Sequence, residues 1–507
     1  MIHHRAKVAK NMLEVSHKSV MHLELDSPEP TEPTDYPTGL FTRPVSAPSS
    51  PSPLWQLDEH FPRRSGVVPQ LPNETLCAIF DEGRRFITAG EGSWLISVSH
   101  VCRRWRDVAI HTPFLWTNIY FGSRSRSPKA LGYIQACLER SRNCPLDITL
   151  RFGDNGRAQE REEAVDRLRS HLDVIIPHTN RWRTLVVHVH HFTSLPILLD
   201  QLPSQIAILK HIRIELENHV YGPHDRVIFS KGAPMLASVE LHRISYLSCR
   251  LPLSHLTSLV LTRSGRALTL AEFTMVLTTP SSLRELSLFG DTVSSGIDPW
   301  ASIHLPHLTA LTLHPGADTP FTHLCNALVT PALESLALGH FSAESIRILT
   351  ESLLPNSPRF PKLRMLELSI VTGLSTPVGA QIISLLEELP MITELALFSF
   401  HASEYTPLLQ ALYCVAPAQA NDQMQDFLAV WLSGGSQPQP AKRVLLPNLS
   451  TIGITPIDDA NIAKISKLIS TRQVAGQAIS CLKTSSYDRF PLDQIQWLRE
   501  HVRLDYH

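Results

Sequence analysis

The chain has 507 residues, of which 43% are hydrophobic and 18% are charged. This composition supplies enough apolar surface for a large buried core, and the length predicts roughly three domains. The 46 Lys and Arg residues and the 47 Asp and Glu residues leave a formal net charge of −1, which argues against a net-basic nucleic-acid-binding protein and against an acidic tail.

The first 65 residues are predicted to form a disordered arm. Between residues 26 and 53, eight of 28 residues are Pro, and Ser, Thr and acidic residues make up much of the rest. Such a segment buries too little apolar surface to offset the entropy that is lost on ordering. Ser27, Ser50 and Ser52 each precede a Pro, so the arm is either an inert spacer or a site of proline-directed phosphorylation.

A small helical domain is predicted next. Pro72 and Glu74 suit the first turn of a helix, where Pro leaves no N–H unpaired and an acidic side chain faces the positive helix end. Leu76, Ile79 and Phe80 follow at the spacing of an amphipathic helix.

Gly83 is predicted to end this first helix, and a loop follows. Apolar residues then recur every three or four positions and predict one continuous second helix from about residue 93 to residue 111. This apolar stripe comprises Leu95, Val98, Val101, Cys102, Trp105, Val108 and Ala109. Pro113 ends the helix, and a turn and a short strand complete the domain.

Three sequence blocks in residues 66–122 resemble the F-box, in particular that of the F-box-like proteins of mushroom-forming fungi. They read L-P-x-E-x-L-x-x-I-F, V-S-x-V-C-R-x-W-R-x-x-A and P-x-L-W, in this order. Two features depart from the family: the loop after the first block is longer than in a minimal F-box, and the Pro-rich arm stands where relatives have a helix. The resemblance implies that a Skp-family adaptor is bound by Leu71, Pro72, Glu74, Leu76, Ile79, Phe80, Val98, Ser99, Val101, Cys102 and Trp105.

Two other interpretations of this segment remain open. The apolar stripe is also compatible with a helical hairpin whose apolar residues form only a core. Arg103, Arg104 and Arg106 would suit the phosphates of a nucleic acid, but the net charge of −1 supplies no wider basic field. We therefore expect no nucleic acid partner.

Residues 123–507 carry a repeated Leu-x-x-Leu-x-Leu pattern, which predicts an α/β leucine-rich-repeat solenoid. Weaker copies begin at Trp182 and Leu209. The clear copies begin at Leu236, Leu256, Leu283, Leu308, Leu333, Leu363, Ile392 and Leu449. Six of the copies have a Pro two residues earlier, where it ends a helix and stiffens the turn into the strand. The last interval is 57 residues, about two repeats, and predicts a degenerate repeat or an insertion.

The ends of the repeat region also have predicted elements. Residues 147–152 are expected to add a first strand, and the amphipathic segment 491–502 is expected to be a helix that caps the solenoid. Residues 433–441, which are rich in Gly, Ser, Pro and Gln, are predicted to form a surface loop.

A target-binding surface is predicted on the exposed face of the sheet. Alternate side chains of a strand share a face. The residue that follows each copy of the Leu-x-x-Leu-x-Leu template therefore lies opposite the core. From this column we predict target contacts by His188, His242, Phe289, His314 and Phe398. The alternative is that these are scattered surface residues without a role. His188 and His190 have a spacing that suits a shared metal, but no Cys or carboxylate lies beside them, so no metal site is predicted.

No sequence motif indicates an enzyme or a cofactor. The chain contains none of the nucleotide-binding, metalloprotease or nucleophile-elbow patterns, and none of the eight cysteines forms a C-x-x-C pair. We therefore expect reduced thiols and no catalysis. No apolar run of about 18 residues and no signal sequence is present, which predicts a cytoplasmic or nuclear protein without a membrane partner.

The resemblance implies a function as the substrate-recognition subunit of a Skp–cullin–F-box (SCF) ubiquitin ligase. In such a complex the F-box binds the Skp-family adaptor, and through it a cullin, while the solenoid binds a target protein. The alternative function is a non-catalytic leucine-rich-repeat scaffold that acts outside a ubiquitin ligase.

Overall fold

The computed structural model describes residues 71–86, 93–122, 128–152, 158–189, 194–217, 226–263, 266–294, 300–314, 324, 327–339, 346–347, 349–351, 360–370, 376–399, 406–413, 445–457, 459–485 and 491–506. The predicted arm, the loop after the first helix, His190 and the predicted loop 433–441 lie outside these residues. The chain divides into two compact units, one containing residues 1–75 and the other residues 76–506.

The strands of the described residues are all parallel to the strands they pair with. They are β1 (Asn118–Phe121), β2 (Leu146–Phe152), β3 (Trp182–Val189), β4 (His211–Leu216), β5 (Ser238–His242), β6 (Ser258–Thr262), β7 (Glu285–Phe289), β8 (Ile303–His304), β9 (Ala310–His314), β10 (Leu328–Val329), β11 (Ser335–Gly339), β12 (Met365–Ile370), β13 (Glu394–Ser399), β14 (Thr451–Thr455), β15 (Cys481–Thr484) and β16 (Arg503–Tyr506). Strands β8 and β10 pair with each other, and the other fourteen form one sheet in chain order.

Helices connect many of these strands. They are α1 (Asn73–Phe86), α2 (Ser93–Val101), α3 (Arg103–Ile110), α4 (Pro128–Arg140), α5 (Ala158–Ile175), α6 (Ser194–Gln201), α7 (Leu270–Thr278), α8 (Thr376–Glu387), α9 (Thr406–Ala411), α10 (Asp459–Val474) and α11 (Leu492–His501). None of the helices in the described ranges combines the length and the hydropathy that a bilayer crossing needs.

The leucine pattern sets both the strands and their register. Leu286 pairs with Leu259 on one side and with Leu311 on the other, and the third template position pairs in the same way. The first template position, for example Leu256 or Leu308, is fully buried beside the strand. Burying a Leu side chain contributes about 1.5–3 kcal/mol, and a slip by one residue would move this whole apolar set to the other face. The strands predicted from the ten template copies are therefore present, and in register.

The ends of the sheet differ from the prediction. Strand β1 comes from the end of the helical segment and pairs with β2, so residues 147–152 belong to the second strand and not the first. The predicted C-terminal cap is also wrong in part: α11 forms, but β16 follows it and pairs with β15 at the edge of the sheet. Neither β15 nor β16 contains a full template copy, which is why the pattern did not predict them.

The 57-residue interval contains no strand of the large sheet within its described residues. Strands β13 and β14 pair directly, with Leu395 opposite Ile452. The fully buried Arg472 joins both sides of the interval, because its guanidinium donates hydrogen bonds to the carbonyl oxygens of Leu412 at 3.2 Å and of Leu445 at 3.1 Å. An insertion, rather than a further repeat in the sheet, fits this pairing.

Candidate protein-interaction site

The first helix divides the predicted adaptor-binding residues into an inner and an outer group. Leu76 and Phe80 are fully buried, whereas Ile79 on the same helix is 44% exposed. In the unit before residue 76, Leu71, Pro72 and Glu74 are all exposed.

The predicted continuous second helix is in fact two helices, because Cys102 interrupts it. The backbone of Cys102 is extended, with φ −157° and ψ 170°, and its Sγ accepts a hydrogen bond from the N–H of Trp105 at 3.4 Å. Cys102 therefore caps the N-terminus of α3, which is the position where a helix needs a side-chain acceptor. The apolar periodicity continued through this residue and so concealed the break.

The inner group forms a small core between the helices. Phe80 packs on Trp105 with ring centroids 5.2 Å apart, and Val98 is buried beside them on α2. Leu76, Phe80 and Val98 have almost no exposed surface in the free protein, so we expect them to hold the helices together. Their predicted contact with a partner stays a prediction.

Gly83 does not end the first helix, which continues to Phe86. The glycine instead gives space to Trp94 of α2, whose Nε1 donates to the carbonyl oxygen of Phe80 at 3.3 Å. A Cβ at position 83 would lie 2.4 Å from Cζ2 of Trp94. The close approach of the two helices therefore requires glycine at this position.

Replacing Gly83 with Ala should destabilise the protein, although Ala normally favours a helix over Gly by about 1 kcal/mol. Since the added methyl group must displace the Trp94 ring, we expect the free energy of unfolding to fall by about 1–3 kcal/mol in a chemical denaturation experiment. Gly132→Ala in α4 is the matched control, because a Cβ there meets no atom within 4 Å and should raise the free energy of unfolding. Stabilisation by both changes would contradict this packing.

Exposed apolar side chains are concentrated in the same segment. Of the ten large hydrophobic residues that are exposed in the described ranges, half lie between residues 71 and 114. These are Leu71 (46% exposed), Ile79 (44%), Ile96 (43%), Val101 (59%) and Phe114 (42%). Isolated exposed apolar residues are ordinary, but the accumulation of Ile79, Ile96, Val101 and Phe114 in one short segment of residues 76–506 makes this segment a candidate interaction surface.

Sequence reasoning missed two of these residues, Ile96 and Phe114. Ile96 lies next to Leu95 and therefore off the apolar stripe, and Phe114 occupies the variable position of P-x-L-W. An apolar residue on the polar side of an amphipathic helix was the signal available for Ile96. Of the predicted residues, Ser99 is half-buried and its Oγ donates to the carbonyl oxygen of Ile96 at 2.7 Å.

The helical segment is joined to the sheet through a buried tryptophan. Trp116 Nε1 donates to the carbonyl oxygen of Ala109 at 2.7 Å, and the guanidinium of Arg140 lies 4.4 Å from the centre of the Trp116 ring. The next residue, Thr117, accepts the backbone N–H of Asp147 at 3.0 Å, and β1 begins directly after it. The helices and the first strands therefore share side-chain and backbone contacts rather than a linker.

The predicted target-binding residues lie in one row across the sheet. Strand register places His188 beside Glu215 and His242 beside Glu215 on its other side. Farther along the row, the rings of Phe289 and His314 lie 5.0 Å apart. His242 is buried, whereas Phe289 and His314 are partly exposed.

Beyond His314 the row continues through Gly339 and Ser369 to Phe398. A Cβ at position 339 would lie 2.5 Å from the His314 ring, so this ring leans over the glycine. The structure thus brings Phe289 and His314 into contact and places Phe398 three strands away from His314. Their role in target binding remains a prediction.

Next to His188 and His242, a cluster of charged residues occupies the same face. Arg213 lies 2.8 Å from Glu215 and 3.5 Å from Glu240, and His242 Nε2 lies 3.3 Å from Glu240. Burial raises the pKa of the Glu240 carboxyl, but hydrogen bonding to His242 and the positive charges of His211 and Arg213 outweigh it and lower this pKa to about 2. Each carboxylate is matched by a cation or imidazole, so we expect the cluster to contribute to the stability of the sheet.

Because the pKa of Glu240 is lowered in the folded protein, its contribution to stability is present above the unfolded pKa of about 4.5 and is lost as the pH falls towards 2. Glu240→Gln should therefore lower the free energy of unfolding by about 2 kcal/mol at pH 7 and by much less near pH 2. Denaturation curves at several pH values measure this difference. Glu334→Gln, at an exposed glutamate, is the control for the loss of one negative charge. If Glu240→Gln lowered the free energy of unfolding by the same amount at pH 7 and at pH 2, the ionic role of Glu240 would be contradicted.

Among the residues that the structure describes, no three His, Cys, Asp or Glu side chains are grouped in a way that suits a metal ion. Comparison with protein-family models finds the F-box-like family at residues 68–122. The prediction of an F-box-like domain in this segment is therefore confirmed. No match to the chain is found among curated proteins.

Proposed function

We propose that this protein is the substrate-recognition subunit of an SCF-type ubiquitin ligase. The observation that supports this most directly is the coincidence of the F-box-like match with the segment where exposed apolar side chains accumulate. An F-box-like domain suggests a role in protein–protein interaction of the SCF type. In this proposal Ile79, Ile96, Val101 and Phe114 contact a Skp-family adaptor, which connects the protein to a cullin.

The sheet is proposed to be an irregular leucine-rich-repeat solenoid that binds the target. Fourteen parallel strands in chain order, ten of which carry the apolar template, support this assignment. Solenoids commonly use such an extended sheet face to bind proteins. We also propose that the protein is related to the F-box-like proteins of mushroom-forming fungi. Its proposed location is the cytoplasm or the nucleus.

The contacts around Trp116 would couple adaptor binding by the helices to target binding by the sheet. Because the helices and the first strands share buried contacts, a target on the sheet is held in a limited range of positions relative to the adaptor. The protein itself makes and breaks no bonds in this proposal. It raises the effective concentration of target lysines near the ubiquitin-conjugating enzyme.

The test is affinity purification of the full chain from cells after proteasome inhibition, combined with measurement of the half-lives of the captured proteins. A ligase subunit should capture the adaptor and a cullin, and its removal should lengthen the half-life of at least one captured protein. The scaffold alternative predicts captured proteins whose half-lives do not change and no cullin among them, and that result would reject the ligase proposal.

A further inference from the structure

The helix α3 begins with an unusual number of positive charges. Arg103, Arg104 and Arg106 are three of its first four residues, and its first turn contains no acidic residue. The N-terminus of a helix carries about half a positive elementary charge, so cations there are unfavourable. The cap of this helix is the thiol of Cys102, which is not among the preferred capping residues. These residues therefore work against the local stability of α3.

Two of these arginines make no intramolecular ion pair or side-chain hydrogen bond with the residues that the structure describes. Arg103 and Arg106 are exposed, and in the described part of the chain their side chains have neither an ion pair nor a hydrogen bond. Some arginines elsewhere in residues 76–506 pair with acids, for example Arg84 with Asp81 at 2.7 Å and Arg213 with Glu215 at 2.8 Å, whereas others, such as Arg284 and Arg364, are exposed like Arg103 and Arg106. Arg104 is half-buried and has a partner.

The charged and the apolar surfaces follow each other directly along the chain. Val101, the most exposed of the large apolar residues in 71–114, lies two positions before Arg103, and only the extended Cys102 separates α2 from α3. Protein interfaces typically combine an apolar centre with a polar rim, and charges on that rim select partners and speed association. A residue that costs local stability and lies beside such a centre is typical of a functional position.

We infer that Arg103 and Arg106 form a basic rim of the adaptor-binding surface and that the protein segment bound there is acidic. The carboxylates of that segment would pair with the two guanidinium groups while its apolar side chains cover Ile96 and Val101. This inference rests on the proposed function and adds the charge of the partner segment. A nucleic acid is disfavoured as the occupant because an apolar centre suits a protein and the chain has a net charge of −1.

The experiment compares the full wild-type chain with the double variant Arg103→Glu/Arg106→Glu, using a purified Skp-family adaptor as the probe. Binding is measured by biolayer interferometry at about 50 mM and about 500 mM NaCl, since salt screens exposed charges. We expect the double variant to bind at least about tenfold more weakly at low salt and to lose the salt dependence of the wild type. Its melting temperature should be equal or higher, because acidic residues suit the N-terminus of α3. Lys231→Glu/Lys362→Glu, at two exposed residues outside the segment, makes the same change in net charge and should bind as the wild type does.

The result that distinguishes this inference is a double variant that binds the adaptor more weakly although its melting temperature is equal to or higher than that of the wild type. Wild-type affinity in the double variant would overturn the inference while leaving the proposed function standing. A lower melting temperature that accounts for the weaker binding would also overturn it, because the arginines would then be structural. Competition of a short DNA duplex with the adaptor would overturn it in favour of a phosphate ligand. If the wild-type chain does not bind the adaptor at all, the proposed function fails, and the inference fails with it.

Discussion

Replacing both Ile79 and Val101 with Asp should abolish adaptor binding and leave the fold intact. Both side chains are exposed in the free protein, so we expect the free energy of unfolding to change by no more than about 0.5 kcal/mol. In the complex each side chain would lose a burial worth about 1.5–3 kcal/mol, which together amounts to at least about a hundredfold in the dissociation constant. Titration calorimetry with the purified adaptor, together with a thermal melt, measures both quantities.

The matched control for this change is Met275→Asp/Val474→Asp. These residues are also exposed and apolar, but they lie on α7 and α10, outside the F-box-like segment. The control should bind the adaptor with wild-type affinity. Equal loss of binding in the two double variants would show that the effect comes from a general property such as net charge. Unchanged binding in Ile79→Asp/Val101→Asp would reject the assignment of this surface.

Replacing Phe80 with Ala should have the opposite effect: it should destabilise the fold, and it should weaken adaptor binding only through unfolding. Phe80 is fully buried, packs on Trp105 and is followed on α1 by the tightly packed Gly83, so its loss creates a cavity in the core between the helices. Such a change typically lowers the free energy of unfolding by about 3–5 kcal/mol. Chemical denaturation of the full chain measures this loss, and any loss of adaptor binding should follow the fraction unfolded.

One control variant and one possible outcome separate this effect from a direct contact. Phe80→Leu keeps most of the buried volume and should recover most of both the stability and the binding. A Phe80→Ala protein that keeps wild-type stability and loses adaptor binding would mean that the Phe80 side chain reaches the partner. That result would require Phe80 to leave the core, contrary to its burial in the free protein.

The strands could be predicted from the sequence because they depend on a single repeated physical requirement. Each strand buries two alternate side chains, and a fixed third apolar position packs beside it, as Leu256, Leu259 and Leu261 do. This requirement leaves the same pattern in every copy, so it predicts the register as well as the strands. Strands β15 and β16 were not predicted because neither contains a full template copy: Thr484 stands at the last template position of β15, and Leu504 of the edge strand β16 is only half-buried.

The candidate site was less predictable, because the residue types do not show which side of a helix faces outwards. The motif of the F-box-like segment contains both Ile79 and Phe80, and the structure places one outside and the other in the core. The division of the second helix depends on the single backbone conformation of Cys102, which apolar periodicity does not report. The role of Gly83 likewise depends on Trp94, a contact between two helices that neither local sequence contains.

The central claim is that the F-box-like segment binds a Skp-family adaptor directly. It is tested by co-expressing the full chain with the adaptor and measuring the mass of the purified species by size-exclusion chromatography with light scattering. We predict one species whose mass is the sum of the two chains, and two separate species when the chain carries Ile79→Asp/Val101→Asp. Separate elution of the wild-type chain and the adaptor would contradict the claim.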